Sequence, residues 1–162
     1  MERPFLFFSN NLSTKEAKPT MLKRLFFIFS LFLSIFVCVP THASEEKCLA
    51  SAIYRESNGE PLDGQIAVAG VVLNRVAHSR YPNTICGNIS ARGQFPWYHK
   101  KGLKYTESSL ALARRLMYKK GSYYHVISPN VIYFNHKNSR GFSKGKRHYR
   151  TIGNHAFYTD RS

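Results

Sequence analysis

Carboxylates are scarce in this chain. Nine of its 162 residues are Asp or Glu, against 24 Lys and Arg, for a formal charge of +15. Such an excess of cations points to a polyanionic partner. Tryptophan occurs once, at Trp97, and cysteine three times. No apolar run reaches the roughly 20 residues a membrane helix needs. There is no internal repeat and no low-complexity tract. Beyond the leader described below, the histidines (His78, His99, His125, His136, His148 and His155) show no His-Glu-x-x-His or comparable spacing, which argues against a zinc peptidase. No cofactor or metal is called for.

From Met21 the chain has the order of a secretory signal peptide: Lys23 and Arg24, the apolar run Leu25 to Val39, then small Ala43 with Thr41 two before it. Residues 1–20 lack the pattern of a folded element, and Met21 stands as an alternative start. The expected organisation is therefore an unstructured extension at 1–20, a leader at 21–43 and one domain at 44–162, a size that suits a single core. Removing the leader leaves a charge of about +12 and no stable membrane span. Cys38 departs with it, so Cys48 and Cys86 are predicted to pair in an oxidising compartment. Outside the cytoplasm, periplasmic, secreted or wall-associated, the available polyanions are peptidoglycan carboxylates, other anionic wall polymers, lipopolysaccharide and stray nucleic acid. Charge alone does not choose between them.

Leu49, Ala52 and Ile53 lie at helical spacing in a segment closing at Gly59, and Glu56 is the next position on that stripe. A second helix starts near Pro61 and runs through Val76, apolar on most faces, as befits a central helix, with Gln65 and Asn74 as its polar exceptions. His78 to Gly102 carries turn signals and reads as a long loop. Thr106 caps a third helix running to about Lys120. Val131 to Phe134 and Ala156 to Tyr158 read as short strands. Helices first and a small late sheet predict an α+β domain with a helical core.

From Glu45 onward there are seven carboxylates. Glu45 and Glu46 fall at the new terminus, Asp63 and Glu107 suit first helical turns, and Asp160 is next to the chain end. Glu56 and Glu60 remain. Burial on the apolar stripe raises the pKa of Glu56 toward what a general acid needs, with Glu60 one turn on as a second carboxylate. The alternative is a structural Glu56 satisfied by Arg55, Arg75 or backbone groups.

The run Ala52-Ile-Tyr-Arg-Glu56-Ser-Asn-Gly-Glu60-Pro-Leu-Asp-Gly-Gln65 through Asn74-Arg75-Val76 resembles the opening motif of the spore-cortex-lytic-enzyme (SleB-like) cell wall hydrolases. The similarity continues through Tyr81-Pro-Asn-Thr84-Ile-Cys86-Gly87, Gly93-Gln94-Phe95, Tyr133-Phe134 and Ile152-Gly153-Asn154-His155-Ala-Phe157-Tyr158. It implies a lysozyme-like fold and a lytic transglycosylase acting on peptidoglycan between N-acetylmuramic acid and N-acetylglucosamine, with Glu56 as acid/base. Ser57 matches the Glu-Ser pair of other lytic transglycosylases, and Glu60 is expected to orient its neighbours. Three positions depart from the pattern: Arg55 replaces a Gly, Asn58 replaces an Arg, and the stretch Asn135 to Lys146 lacks a Trp.

Gln94, Trp97, Tyr98 and Tyr133 are amphipathic side chains suited to sugars and equally to packing. The basic run Lys144 to Arg150 suits an anionic polymer or a solvated face; no specific nucleic acid is called for. The competing readings are an amidase or hydrolytic muramidase on the same polymer, and a non-catalytic cationic wall- or nucleic-acid-binding protein.

Overall fold

The computed structural model describes residues 42–161. The expected extension and nearly all of the leader lie outside them. Among the described residues, no helix is long and apolar enough to cross a membrane.

Helix α1 (His42–Ser57) starts six residues before Cys48, where the apolar spacing begins. The reason lies in Glu45 and Glu46, which are not a loose terminus. The Glu45 carboxylate accepts from the backbone N–H of Ile85 at 2.6 Å and of Cys86 at 3.4 Å. Glu46, buried, accepts from Arg114 Nε at 2.8 Å and from the Tyr118 hydroxyl at 2.7 Å. Those two bonds, Arg114's first, hold the Glu46 carboxyl below its usual range. The predicted disulfide closes beside them, Cys48 to Cys86, with Cα atoms 5.3 Å apart.

Helix α2 (Leu62–Val76) is the central helix its sequence foretells. Residues Ile66 to Val72 are buried without a break. Gly70 allows the approach of the segment after α5: a Cβ there would stand 2.8 Å from both Ile127 and Tyr123 side-chain atoms. The polar residues of α2 fasten other parts of the chain. Asn74 Nδ2 donates to the carbonyls of Ser128 and Val131, and Arg75 Nε to that of Ile132. These bonds fix the approach to the first strand. Gln65 Nε2 donates to the carbonyl of Glu60 at 3.0 Å.

The stretch from His78 to Gly102 is not simply loop. It holds two short helices, α3 (Ile85–Ser90) and α4 (Trp97–Lys101). Both are too short to display a periodicity, so local bonds decide them. The Thr84 hydroxyl caps α3 by accepting from Gly87 N–H at 3.1 Å, and Glu45 satisfies two further N–H groups of its first turn. Helix α5 (Glu107–Tyr118) carries the expected Thr106 cap, reciprocated by Ser109, and ends slightly before Lys120.

Strands β1 (Tyr133–His136), β2 (Lys146–Ile152) and β3 (His155–Asp160) form an antiparallel sheet in the order β1-β3-β2. The apolar strand signals mark β1 and β3. The basic run hides β2, an edge strand exposed over its middle five residues, with a register shift between His148 and Arg150. Gly153, at φ +58°, turns β2 into β3. The helical core with a small late sheet matches the α+β expectation.

Candidate active site

Glu56 occupies the last turn of α1, half-buried on the wall of a cavity of about 580 Å³. Burial pushes its carboxyl above the ordinary carboxylate range. The negative end of the α1 dipole acts in the same direction. The Trp97 indole opposes both, donating from Nε1 to Glu56 Oε1 at 2.5 Å. Neither arginine foreseen as a partner serves Glu56. Arg55 Nη2 donates to the carbonyls of Lys101 and Gly102, and Arg75 Nε to that of Ile132. Among the described residues Glu56 has no cation in salt-bridge range.

Trp97 is held in place from two sides. Its ring lies 5.8 Å from that of the buried Phe95, which itself neighbours Phe134, and the Arg55 guanidinium sits 5.1 Å from the indole centroid. The residue expected to meet sugar is thus also the one that holds the carboxylate.

The cavity draws its wall from most of the fold: Glu56 of α1, Arg75 of α2, Tyr81, the turn Gly93 to Pro96, strand β1, Phe142, Lys146 and His155. Gln94 and Tyr133 are therefore both on it. The Tyr133 hydroxyl donates to Asp160 Oδ1 at 2.9 Å; burial first, and then that bond, push its pKa up to about 12. Asp160 also pairs with Arg80. The stretch that lacks a Trp supplies Phe142 as its aromatic, with the Lys146 ammonium 4.5 Å from the ring centroid.

Ser57 and Glu60 are not on this wall. The Ser57 hydroxyl is buried and donates to the Ile53 carbonyl at 2.7 Å, inside its own helix. Glu60 accepts from Asn154 N–H at 2.9 Å and from Asn154 Nδ2 at 3.0 Å, which brings its carboxyl below the ordinary range. It fastens the β2–β3 turn so closely that a Cβ on Gly153 would fall 1.8 Å from its Oε2. Tyr98 stacks edge-on against His99, away from the cavity wall.

His155 was not singled out as a site residue. It is buried on the cavity wall, with Nδ1 4.0 Å from Glu60 Oε1 and no hydrogen-bond partner for that nitrogen. Burial lowers its pKa, Glu60 pulling the other way. Lys146 was noticed only as part of the basic run, and Phe142 escaped notice because it stands in no apolar period or motif. Among the described residues, no group of three or more His, Cys, Asp or Glu side chains is arranged to hold a metal ion.

Residues 59–158 match the cell wall hydrolase family model. The chain belongs to that family. Glu56 stands just ahead of the matched stretch. A spore cortex-lytic enzyme of Bacillus cereus is 56% identical over 53 residues, 32% of this chain and 20% of that protein. The Bacillus subtilis spore cortex-lytic enzyme is 46% identical over 43 residues, 26% of this chain and 14% of that protein. The chain thus matches only a fraction of the length of these relatives.

Two solved structures share the cell wall hydrolase fold. The catalytic domain of the Bacillus cereus SleB protein superposes with a TM-score of 0.60 at 27% identity, covering 71% of this chain and 89% of that one. The catalytic domain of the germination-specific lytic transglycosylase SleB from Bacillus anthracis gives 0.60 at 26% identity, covering 75% and 100%. The helical core and small sheet are therefore the lysozyme-like arrangement that the sequence motifs imply.

Proposed function

We propose that this cell wall hydrolase is an exported lytic transglycosylase, cleaving peptidoglycan glycan strands between N-acetylmuramic acid and N-acetylglucosamine with Glu56 as its single acid/base. The observation that carries this reading is a half-buried carboxyl, raised in pKa and without a salt-bridge partner among the described residues, on the wall of a large cleft. A protonated Glu56 gives its proton to the glycosidic oxygen as the bond to the muramic acid C1 breaks. The resulting carboxylate then takes the proton of the muramic acid 6-hydroxyl as that oxygen bonds to C1, leaving an anhydro ring and regenerating the acid.

Glu56 is the sole carboxylate among the described cavity-lining residues. A hydrolytic muramidase of the two-carboxylate kind needs a second one roughly 5 to 9.5 Å away. Glu60, the nearest in sequence, is occupied by Asn154. This favours the intramolecular route, in which no water or protein nucleophile is needed. The proposed active form starts after Ala43, in the periplasm or the wall, where the Cys48–Cys86 disulfide would persist.

Digestion of purified peptidoglycan, with products read by mass spectrometry, tests the proposal. Anhydromuramic ends are expected, and Glu56→Gln should reduce their rate of formation by at least about 100-fold. Reducing ends would indicate a muramidase and released stem peptides an amidase. Undiminished cleavage by Glu56→Gln would remove the assigned role.

A further inference from the structure

A second hollow, of about 440 Å³, adjoins the catalytic cleft. It is walled by Tyr54, Arg55, Asn58, Trp97, Lys101 and Lys104. It shares no lining residue with the first, yet meets it along two pairs of consecutive residues: Arg55 with Glu56, and Trp97 with Pro96. Its charge is of one sign. Among the described residues, no carboxylate lines it and none pairs with Arg55, Lys101 or Lys104. Arg55 is spent on the end of α4, whose Lys101 and Gly102 carbonyls it binds, and on the Trp97 ring. The two lysines are exposed, and the Lys104 ammonium lies 5.5 Å from the Tyr54 ring centroid.

Resting on the transglycosylase reading above, we propose that this hollow is a subsite for the stem peptide of the substrate, with Lys101 and Lys104 receiving a peptide carboxylate. The chemistry of the polymer supports the assignment. A peptide-substituted glycan strand carries no charge on its sugars; its negative charge resides in the stem-peptide carboxylates. The peptide hangs from the lactyl group of the muramic acid, the very sugar whose C1 reacts at Glu56. An anionic chain leaving that sugar therefore needs a cationic recess adjoining the acid, and the hollow is one. Arg55 and Asn58, the two positions that depart from the family pattern in this region, both face it.

Trp97 gives the subsite a mechanical link to the reaction. Its ring walls the hollow while its Nε1 binds Glu56. A peptide seated there presses on the group that orients the catalytic carboxyl.

Calorimetric titration of the Glu56→Gln protein reads binding apart from turnover. The probes are soluble GlcNAc-MurNAc disaccharide and the same disaccharide bearing a tetrapeptide. The tetrapeptide form should bind at least about tenfold more tightly. That preference should collapse in a Lys101→Glu/Lys104→Glu protein and persist in a charge-matched Lys119→Glu/Lys120→Glu control. A lysine-dependent preference supports the subsite even if the wild-type protein yields no anhydromuramic products, so the two readings fail separately. Equal affinity for both probes, or equal loss in the control, would overturn it. So would tighter binding of a short single-stranded oligonucleotide through Lys101 and Lys104, which would make the hollow a nucleic-acid site.

Discussion

The two ends of helix α1 treat their carboxylates in opposite ways. At its start, Glu45 and Glu46 are saturated by N–H groups, a guanidinium and a hydroxyl, and a disulfide closes beside them. At its end, Glu56 has one indole bond and, among the described residues, no cation in salt-bridge range. Just beyond, Glu60 returns to the first pattern, saturated by Asn154. The partners of Glu46 and Glu60 favour their ionised forms, whereas burial holds the carboxyl facing the cleft toward its neutral form. A few residues along one helix thus separate architecture from chemistry, because the partners differ and the side-chain type does not.

Removing the covalent tie at the start of α1 should have the largest effect of the following four changes. The bridge spans 38 residues, so Cys48→Ser/Cys86→Ser should lose about 2–5 kcal/mol in chemical denaturation. If the two ends are independent, lysis by the folded fraction should keep its rate. A fall in that rate would show that the stapled end also positions Glu56.

An intermediate effect is expected beyond the helix end. Gly153→Ala puts a Cβ into Glu60 Oε2 at a positive φ, and thermal unfolding should show a loss of about 1–3 kcal/mol. Glu60→Gln should lose about 1 kcal/mol at neutral pH, one hydrogen bond to Asn154 being broken. The folded pKa of Glu60 is lowered, so its contribution is present above the unfolded value and disappears as pH falls through the folded one. The gap between wild type and variant should therefore close in acid. A gap that is constant with pH would place Glu60 outside this scheme.

The smallest change sharpens the comparison at Glu56 itself. Its indole bond lowers a pKa that burial raises, so Trp97→Phe should raise it further. Under the proposed mechanism lysis requires the protonated acid and declines as pH rises through that pKa. The declining limb of the pH–rate profile should therefore move to higher pH in Trp97→Phe. A shift to lower pH would contradict the role given to the indole.

Much of this was legible in the sequence where periodicity or a cap speaks for itself. The unbroken apolar face of α2, the Thr106 cap of α5 and the apolar signals at β1 and β3 all announce themselves. Helices α3 and α4 do not, since five or six residues cannot show a 3.6-residue period. Strand β2 does not either, because an edge exposed to water needs no apolar alternation. At the site, Glu56 stood out as a carboxylate on an apolar stripe. Its bond to Trp97 joins residues 41 apart and was visible only once folded. His155, Phe142 and Lys146 reach the cavity through sheet geometry that no local pattern encodes.

Strand β2 has one further consequence. Among the described residues its outer side has no neighbouring strand, yet its row of seven residues includes the three cations Lys146, Arg147 and Arg150. A second copy of the chain that tried to extend the sheet would bring two such rows together, and their repulsion disfavours the match. The free edge is kept from templating aggregates by part of the same excess of cations that sets the formal charge of the chain.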